Sequence, residues 1–205
     1  TKKQGHKYSL DPKRIVLETD DFIIIDKHHG LSTSSERSNI FFNLRYGVEA
    51  YLNRTNPDSK TWYQPQPLTR LDFYVDGLVL LSKNKEAERE LFRLTKERKI
   101  KKAYHAQIPR SEANPQCRRI QDHINDKGPV TISKTGRASH SLFIKQTQST
   151  EEDQKEIDRY TVILLTGRRH QIRVHASHYI SPIIGDWLYG SKIKYNKDQI
   201  GLTAM

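Results

Sequence analysis

An acidic residue that could act as a nucleophile lies in the segment Arg70-Leu71-Asp72, just before an apolar run at 77–81. A later segment, 166–175, carries several cations, among them Arg173. An attacking carboxylate must stay ionised, and a nearby cation favours the ionised form. The two segments together predict a site in which one supplies the nucleophile and the other its counter-charge.

Both residues also have a simpler interpretation. An isolated aspartate beside a strand, such as Asp72, often binds local backbone amides in a turn. Arg173 falls in the opening turn of a predicted helix, where it would be either an exposed arginine or a buried cation. Its apolar neighbours Ile172 and Val174 favour burial.

The charge of the chain suits a polyanionic partner. Its 205 residues include 35 Lys and Arg against 24 Asp and Glu, which gives a formal net charge of +11 and a pI near 9.7. This length fits one domain with a real core. Charge alone favours nucleic acid only modestly, because a basic surface can belong to a protein that binds none.

Several classes of protein are disfavoured. A single cysteine, Cys117, cannot form an internal disulfide or a cysteine zinc cluster, and no apolar run approaches the roughly 20 residues that cross a bilayer. His170, His175 and His178 are spaced five and three apart, which does not match a helical zinc pair. We therefore expect no metal, no membrane insertion and a cytoplasmic location. An organellar location stays open because the sequence starts at Thr1 rather than Met.

Periodicity and turn residues predict an α+β fold with a mixed, largely antiparallel sheet flanked by helices. Residues 1–14 are polar and predict an arm. The other predicted elements are strands at 15–17 and 22–25 around a turn at 19–21, a loop at 30–39, a helix at 40–53, a strand at 78–81, a helix at 85–99, strands at 100–108, 130–132, 139–144 and 160–165, an acidic hairpin loop at 148–158, and a helix from His170 that Pro182 closes.

Tyr104 lies on the apolar face of its predicted strand, together with Ile100, Ala106 and Ile108. Alternation of this kind predicts a core tyrosine with a polar tip.

Six short motifs occur along the chain in an order and with separations that resemble the RluA-type pseudouridine synthases, which isomerise uridine in structured RNA. Each motif is weak alone, and together they cover most of the chain. They are Asp26-Lys27 with Gly30-Leu31, Arg70-Leu71-Asp72 with Gly77-Leu78, Lys102-Ala103-Tyr104, Gly136-Arg137-Ala138, the run from Gly167 to His175, and Pro182-Ile183 with Gly185-Asp186 and Leu188-Tyr189-Gly190.

The resemblance implies a catalytic domain of the pseudouridine synthase type at 15–205 and a reaction that needs no cofactor. It implies that Asp72 is the catalytic carboxylate, that Arg173 pairs with it, and that Tyr104 stacks on the target base or takes its proton. The partner would be structured RNA, either tRNA or rRNA, bound by a monomer. The implied RNA-binding residues are Arg70, Arg168, Arg169, His170 and Gln171.

The chain departs from the family pattern beside the proposed nucleophile. Thr69 stands where the family commonly has His, and Val75 and Asp76 stand where it has a Thr-Ser pair. The sequence also stops where the family continues through another strand, which predicts a shortened C-terminus. The departures leave two alternatives open: a non-catalytic RNA-binding protein on a synthase scaffold, or a basic subunit of an RNA-protein particle.

Overall fold

The computed structural model describes residues 6–35, 40–55, 63–147, 156–196 and 199–205. The chain divides into two compact units, residues 1–100 and 101–205. The prediction of one catalytic domain over 15–205 stays a prediction, and each unit is described by itself.

The first unit is built on strands that pair antiparallel. A short 3-10 helix at Pro12–Arg14 leads into β1 (Ile15–Glu18), which pairs with β2 (Phe22–Lys27). β4 (Asp76–Ser82) pairs with β2, and the two-residue β3 (Gln66–Pro67) pairs with β4. The described residues of this unit also form the helices α1 (Leu44–Thr55) and α2 (Lys85–Lys96).

Alternation along β2 decides what this unit buries. Ile23, Ile25 and Lys27 are all fully buried, while Asp26 between them is exposed. Because side chains alternate across a strand, Lys27 shares the apolar face of the two isoleucines. The strand thus carries an ammonium group into the interior, next to the loop that follows β2.

In the described part of the second unit, six strands pair antiparallel in the order β10-β5-β9-β8-β6-β7. Its helix, α3 (Gln171–Tyr179), contacts β6, β7 and β8. Cys117, whose side chain is exposed, begins β6. The strands are β5 (Lys102–Pro109), β6 (Cys117–Asn125), β7 (Thr131–Ile132), β8 (Arg137–Lys145), β9 (Ile157–Leu164) and β10 (Leu202–Ala204).

The predicted α+β class is confirmed. Among the described residues, the pairings inside each unit are antiparallel, and a single isolated bridge between Ser32 and Asn43 is parallel. No described helix has the length and hydrophobicity needed to cross a membrane. The side chain at Tyr104 is buried with Ala106 and Ile108, as the alternation in β5 predicted.

Two predicted helix boundaries were wrong, and capping explains both. α1 begins at Leu44 rather than at 40, because the Asn43 side chain accepts the Tyr46 N–H at 3.0 Å and caps the helix there. α2 ends at Lys96 rather than at 99. Arg98 takes the left-handed conformation at φ 59°, and the N–H of Lys99 bonds the Leu94 carbonyl at 2.9 Å, which is a Schellman ending.

The predicted loop at 148–158 was wrong at its end. Residues 148–155 lie outside the described residues, but Asp158 belongs to β9 and is only 2% exposed. Its carboxylate accepts from Lys145 Nζ and from Asn114 Nδ2, each at 2.8 Å. These two partners compensate the buried charge of Asp158. The acidic composition of the segment had predicted that this side chain would be exposed to solvent.

Candidate active site

Asp72 lies in a loop whose backbone is held on both sides. Leu71 and Val75 are buried at 6% and 2% exposure, and Asp72 between them is half-buried. The hydroxyl of Thr33 accepts the Leu71 N–H at 3.0 Å and donates to the Leu71 carbonyl at 3.0 Å. The Val75 N–H bonds the Asp72 carbonyl at 3.1 Å and closes a turn. The carboxylate is thus carried by a short turn between two apolar anchors.

The loop after β2 provides the remaining support. The Gly30 N–H donates to the Phe73 carbonyl at 2.8 Å, and Gly30 takes a φ of 75° that disfavours other residues. Lys27 Nζ donates to the carbonyls of His28 at 3.0 Å and Leu31 at 2.8 Å. One buried lysine therefore fixes the loop that clamps the Asp72 turn.

Lys27 also lies within electrostatic reach of two carboxylates. Burial lowers the pKa of its ammonium from 10.5 to about 8, and the charges of Asp76 and Asp72 act in the opposite direction. The departure at Asp76 thus adds a second carboxylate near the same cation. Asp72 in the turn and Asp76 at the start of β4 thus both lie within electrostatic reach of one ammonium group.

In the second unit, the loop before α3 is organised by Gln171, which is 2% exposed. Its amide oxygen accepts from the Thr166 hydroxyl at 2.9 Å and the Arg168 N–H at 3.0 Å. Its amide nitrogen donates to the His140 carbonyl at 3.0 Å and the Ser141 hydroxyl at 2.9 Å. With its amide used in this way, Gln171 holds the loop in place in this structure.

Arg173 forms a buried, two-pronged ion pair with Asp186. Its Nε and Nη2 lie 2.7 and 2.9 Å from the carboxylate oxygens, and the two side chains are 4% and 1% exposed. The guanidinium also lies 5.1 Å from the ring centre of Tyr189, whose hydroxyl is 2.9 Å from His170 Nδ1. Bidentate geometry of this kind fixes the orientation of the guanidinium.

A histidine ties α3 to the sheet. His175 is fully buried, with Nε2 2.9 Å from the Ser139 hydroxyl and Nδ1 3.0 Å from the Ser141 hydroxyl. Ser139 donates its proton to the Asp122 carbonyl, so its oxygen accepts from Nε2–H. Burial lowers the pKa of His175 from 6.5 to about 4, which keeps the ring neutral.

The described residues contain no group of three or more His, Cys, Asp or Glu side chains that could hold a metal ion. His175 in particular uses both ring nitrogens on serine hydroxyls. The expectation that His170, His175 and His178 form no metal site rests on their spacing in the sequence.

The predicted catalytic residues belong to different units. Asp72 lies in the first unit, and Tyr104 and Arg173 lie in the second. Tyr104 is 8% exposed and pairs with Val162 and Ala204 on its neighbouring strands. The pairing of Asp72 with Arg173, and the roles assigned to all three, stay predictions.

The predicted RNA-binding residues also differ in their surroundings. Arg70 is exposed beside the Asp72 turn. Arg168 donates from Nε to the Ala138 carbonyl at 2.9 Å, and Arg169 donates to the Gly128 carbonyl. His170 takes the left-handed conformation just ahead of α3. Arg168, Arg169 and His170 lie in the loop just ahead of α3, and Gln171 is the first residue of that helix.

Three residues that position the site were not assigned a role from the sequence. Lys27 and Asp186 belong to the quoted motifs, and Thr33 follows one of them closely. A signal was present for Lys27, because strict alternation with Ile23 and Ile25 places it on the buried face. The contacts of Thr33 and Asp186 join segments far apart in sequence, so local patterns carry no signal for them.

The fold matches that of a solved RNA-modifying enzyme domain. Human RNA pseudouridylate synthase domain containing 1 superposes with a TM-score of 0.69 over 93% of this chain and 76% of that chain, at 22% identity. A likeness at this identity establishes the fold. The chain therefore has the fold of that RNA pseudouridylate synthase domain.

Sequence comparison then establishes the family. Residues 21–178 match the family described as RNA pseudouridylate synthase, so the chain belongs to that family. It is similar to ribosomal large subunit pseudouridine synthase C of Pasteurella multocida, at 27% identity over 98% of this chain and 59% of that protein. It is also similar to the dual-specificity RNA pseudouridine synthase RluA of Vibrio parahaemolyticus, at 28% identity over 87% of this chain and 69% of that protein. The chain spans about three fifths of the length of several curated relatives that it matches.

Proposed function

We propose that this chain isomerises uridine to pseudouridine in RNA, with Asp72 as the catalytic carboxylate. The observation that carries the proposal is the Asp72 turn, which is anchored by Leu71 and Val75 and clamped by Thr33 in a chain that belongs to the RNA pseudouridylate synthase family. An aspartate that served only to cap local amides would not need this support from a distant loop.

The reaction rearranges bonds without oxidation or reduction. The bond from uracil N1 to ribose C1′ breaks, the base turns while bound, and C5 bonds to C1′. The proton on C5 leaves and N1 gains one, so substrate and product are isomers and no cofactor is consumed. Asp72 attacks or stabilises the electron-poor sugar or base, since a carboxylate is ionised at neutral pH from a reference pKa of about 3.9.

Tyr104 and Arg173 complete the proposed chemistry. Tyr104 stacks on the extruded base or accepts the C5 proton, and Arg173 supplies the cation that keeps Asp72 charged. The bidentate pair with Asp186 and the ring of Tyr189 support this role, because they give the guanidinium a single orientation. A fixed cation stabilises developing charge better than a mobile one.

The proposed partner is structured RNA, either tRNA or rRNA, and the proposed active form is a monomer. A net charge of +11 supports a polyanionic partner. The name of the Pasteurella relative refers to the large ribosomal subunit, and that of the Vibrio relative refers to dual specificity. Extrusion of the target base costs a few kcal/mol, which contacts from Arg70 and from the loop ahead of α3 would offset.

Release of tritium from RNA that carries uridine labelled at C5 tests the proposal. Wild-type protein should release label, and Asp72→Asn should release none while it binds the same RNA with unchanged affinity. Asp20→Asn, at an exposed position in the β1–β2 turn, is the matched control and should behave as wild type. Tight RNA binding by a wild-type protein that frees no label would instead support the non-catalytic alternative.

A further inference from the structure

Two aromatic side chains project into solvent directly after Asp72. Phe73 is 40% exposed and Tyr74 is 45% exposed, although the residues on either side of this short stretch, Leu71 and Val75, are buried. Large aromatic side chains contribute most when they are buried, so two adjacent exposed rings offer apolar surface that a bound partner can cover.

The two rings have a fixed arrangement. Their centres are 5.1 Å apart with an interplanar angle of 84°, which is the edge-to-face geometry that aromatic pairs prefer. The carbonyl of Phe73 accepts the Gly30 N–H at 2.8 Å, and the Asp72 carbonyl accepts the Val75 N–H. The backbone that carries the rings is therefore held by hydrogen bonds at Asp72, Phe73 and Val75.

We infer that Phe73 and Tyr74 form a stacking platform for unpaired RNA bases that flank the target uridine. This inference rests on the proposed function and adds a substrate class to it. Consecutive residues lie 3.8 Å apart, so the platform cannot be far from the carboxylate that attacks the uridine. Every base offers a flat π-face, and the exposed Arg70 on the other side of Asp72 supplies a cation for the adjoining phosphate.

The platform defines which uridines the enzyme accepts. A base inside a continuous duplex has both faces covered by its neighbours and can stack on a protein ring only after it has left that stack, so the neighbours of the target must be unpaired or easily unpaired. Uridines in loops and bulges then bind well, and uridines inside a continuous duplex bind poorly. Stacking is tolerant of base identity, so the preference concerns local RNA structure more than sequence.

A double variant, Phe73→Leu with Tyr74→Leu, tests the inference against Phe92→Leu. Phe92 is a matched control because it is 49% exposed in α2 of the same unit. The probe is an RNA stem-loop with a loop uridine next to 2-aminopurine, whose fluorescence is quenched on stacking. We expect wild type and Phe92→Leu to quench it equally, and the double variant to lose the quenching and to raise the Kd by about 10- to 100-fold.

The same proteins are then assayed for tritium release from the stem-loop. The double variant should show a raised KM with little change in kcat, because stacking on flanking bases adds binding that is made before the reaction. Equal quenching and equal Kd in wild type and the double variant would overturn the platform. The wild-type protein could also quench the fluorescence through the two rings and yet release no tritium. That result would support the platform and reject the proposed function.

Discussion

At the scale of single residues, Lys27 is retained at a position where its charge is unfavourable. The side chain is fully buried, and its pKa of about 8 means that the folded protein disfavours the ammonium form relative to water. A buried apolar residue would avoid this cost. The charge lies close enough to Asp72 and Asp76 to interact with both, and strongly perturbed groups of this kind concentrate at functional sites.

The depressed pKa of Lys27 predicts a rise in stability at alkaline pH. Between pH 8 and 10.5 the unfolded chain binds a proton that the folded chain has lost, so the free energy of unfolding increases with pH over that window. The total contribution is about 3 kcal/mol, since one pKa unit corresponds to about 1.4 kcal/mol. Urea unfolding of wild type and Lys27→Met should give curves whose difference grows through this range; parallel curves would contradict the assignment.

Thr33 gives a second residue-scale prediction. Thr33→Val keeps the shape of the side chain but leaves the N–H and carbonyl of Leu71 without their partner, which should lower the free energy of unfolding by about 1–3 kcal/mol. It should also lower kcat in the tritium assay, because the Asp72 turn loses its clamp. Thr33→Ser keeps the hydroxyl and is the control. Equal kcat in the Val and Ser variants would show that the hydroxyl does not position Asp72.

At the scale of elements, α3 is attached to the sheet by polar contacts as well as by packing. Its first six residues are buried, and Gln171 and His175 both reach the hydroxyl of Ser141 on β8. Ser141 therefore joins the start of the helix, which carries Arg173, to a central strand. A buried polar network in which every group is hydrogen-bonded favours one position of the helix on the sheet. A buried polar group left without its partner lowers the free energy of unfolding.

The His175 network predicts acid sensitivity. The pKa of this ring is lowered to about 4 by burial, so below pH 6.5 the unfolded chain binds a proton that the folded chain does not. The contribution of His175 to the free energy of unfolding is fully present above pH 6.5 and decreases as the pH falls toward 4. The total loss from this group is about 3 kcal/mol. His175→Gln should lack this part of the pH dependence when unfolding is followed by circular dichroism. An identical pH dependence in the variant would show that another group is responsible.

Elements with a clear period or a β-forming composition were predictable, and those with neither were not. β5 alternates along its sequence, β2 is a run of aromatic and β-branched residues, and both were located within two residues. β6 was missed, because its buried residues Ile120 and Ile124 are four apart, which is as typical of a helix as of a strand. β10 is three residues long and is defined by its pairing with β5, so its own sequence carries little signal.

At the scale of the whole molecule, the positive charge predicts salt-sensitive binding. RNA affinity should fall by about 10- to 100-fold between 50 and 200 mM salt, because each neutralised phosphate releases counterions. Arg70→Ala and Arg169→Ala should each reduce the slope of log Kd against log salt by about one. Arg93→Ala is a suitable control, since Arg93 is already paired with Glu90 and Glu97. A slope that stays flat would reject the basic surface as the RNA footprint.

The sequence supports a proposal for the components of the candidate site but carries no signal for most of the residues that hold them. Asp72 and Arg173 stand out as charged residues beside apolar runs, and the motif order assigns them to one family. The ion pair of Arg173 with Asp186 and the clamp of Leu71 by Thr33 depend on contacts across 13 and 38 residues. Such contacts follow from tertiary packing, which periodicity and spacing do not encode.

The only thiol of the chain, on Cys117, is exposed at the start of β6. A maleimide dye would therefore attach at one known thiol of this chain, with no engineered substitution. Single-molecule energy transfer to a labelled transcript could then time the arrival and departure of substrate in unmodified and catalytically silent forms alike.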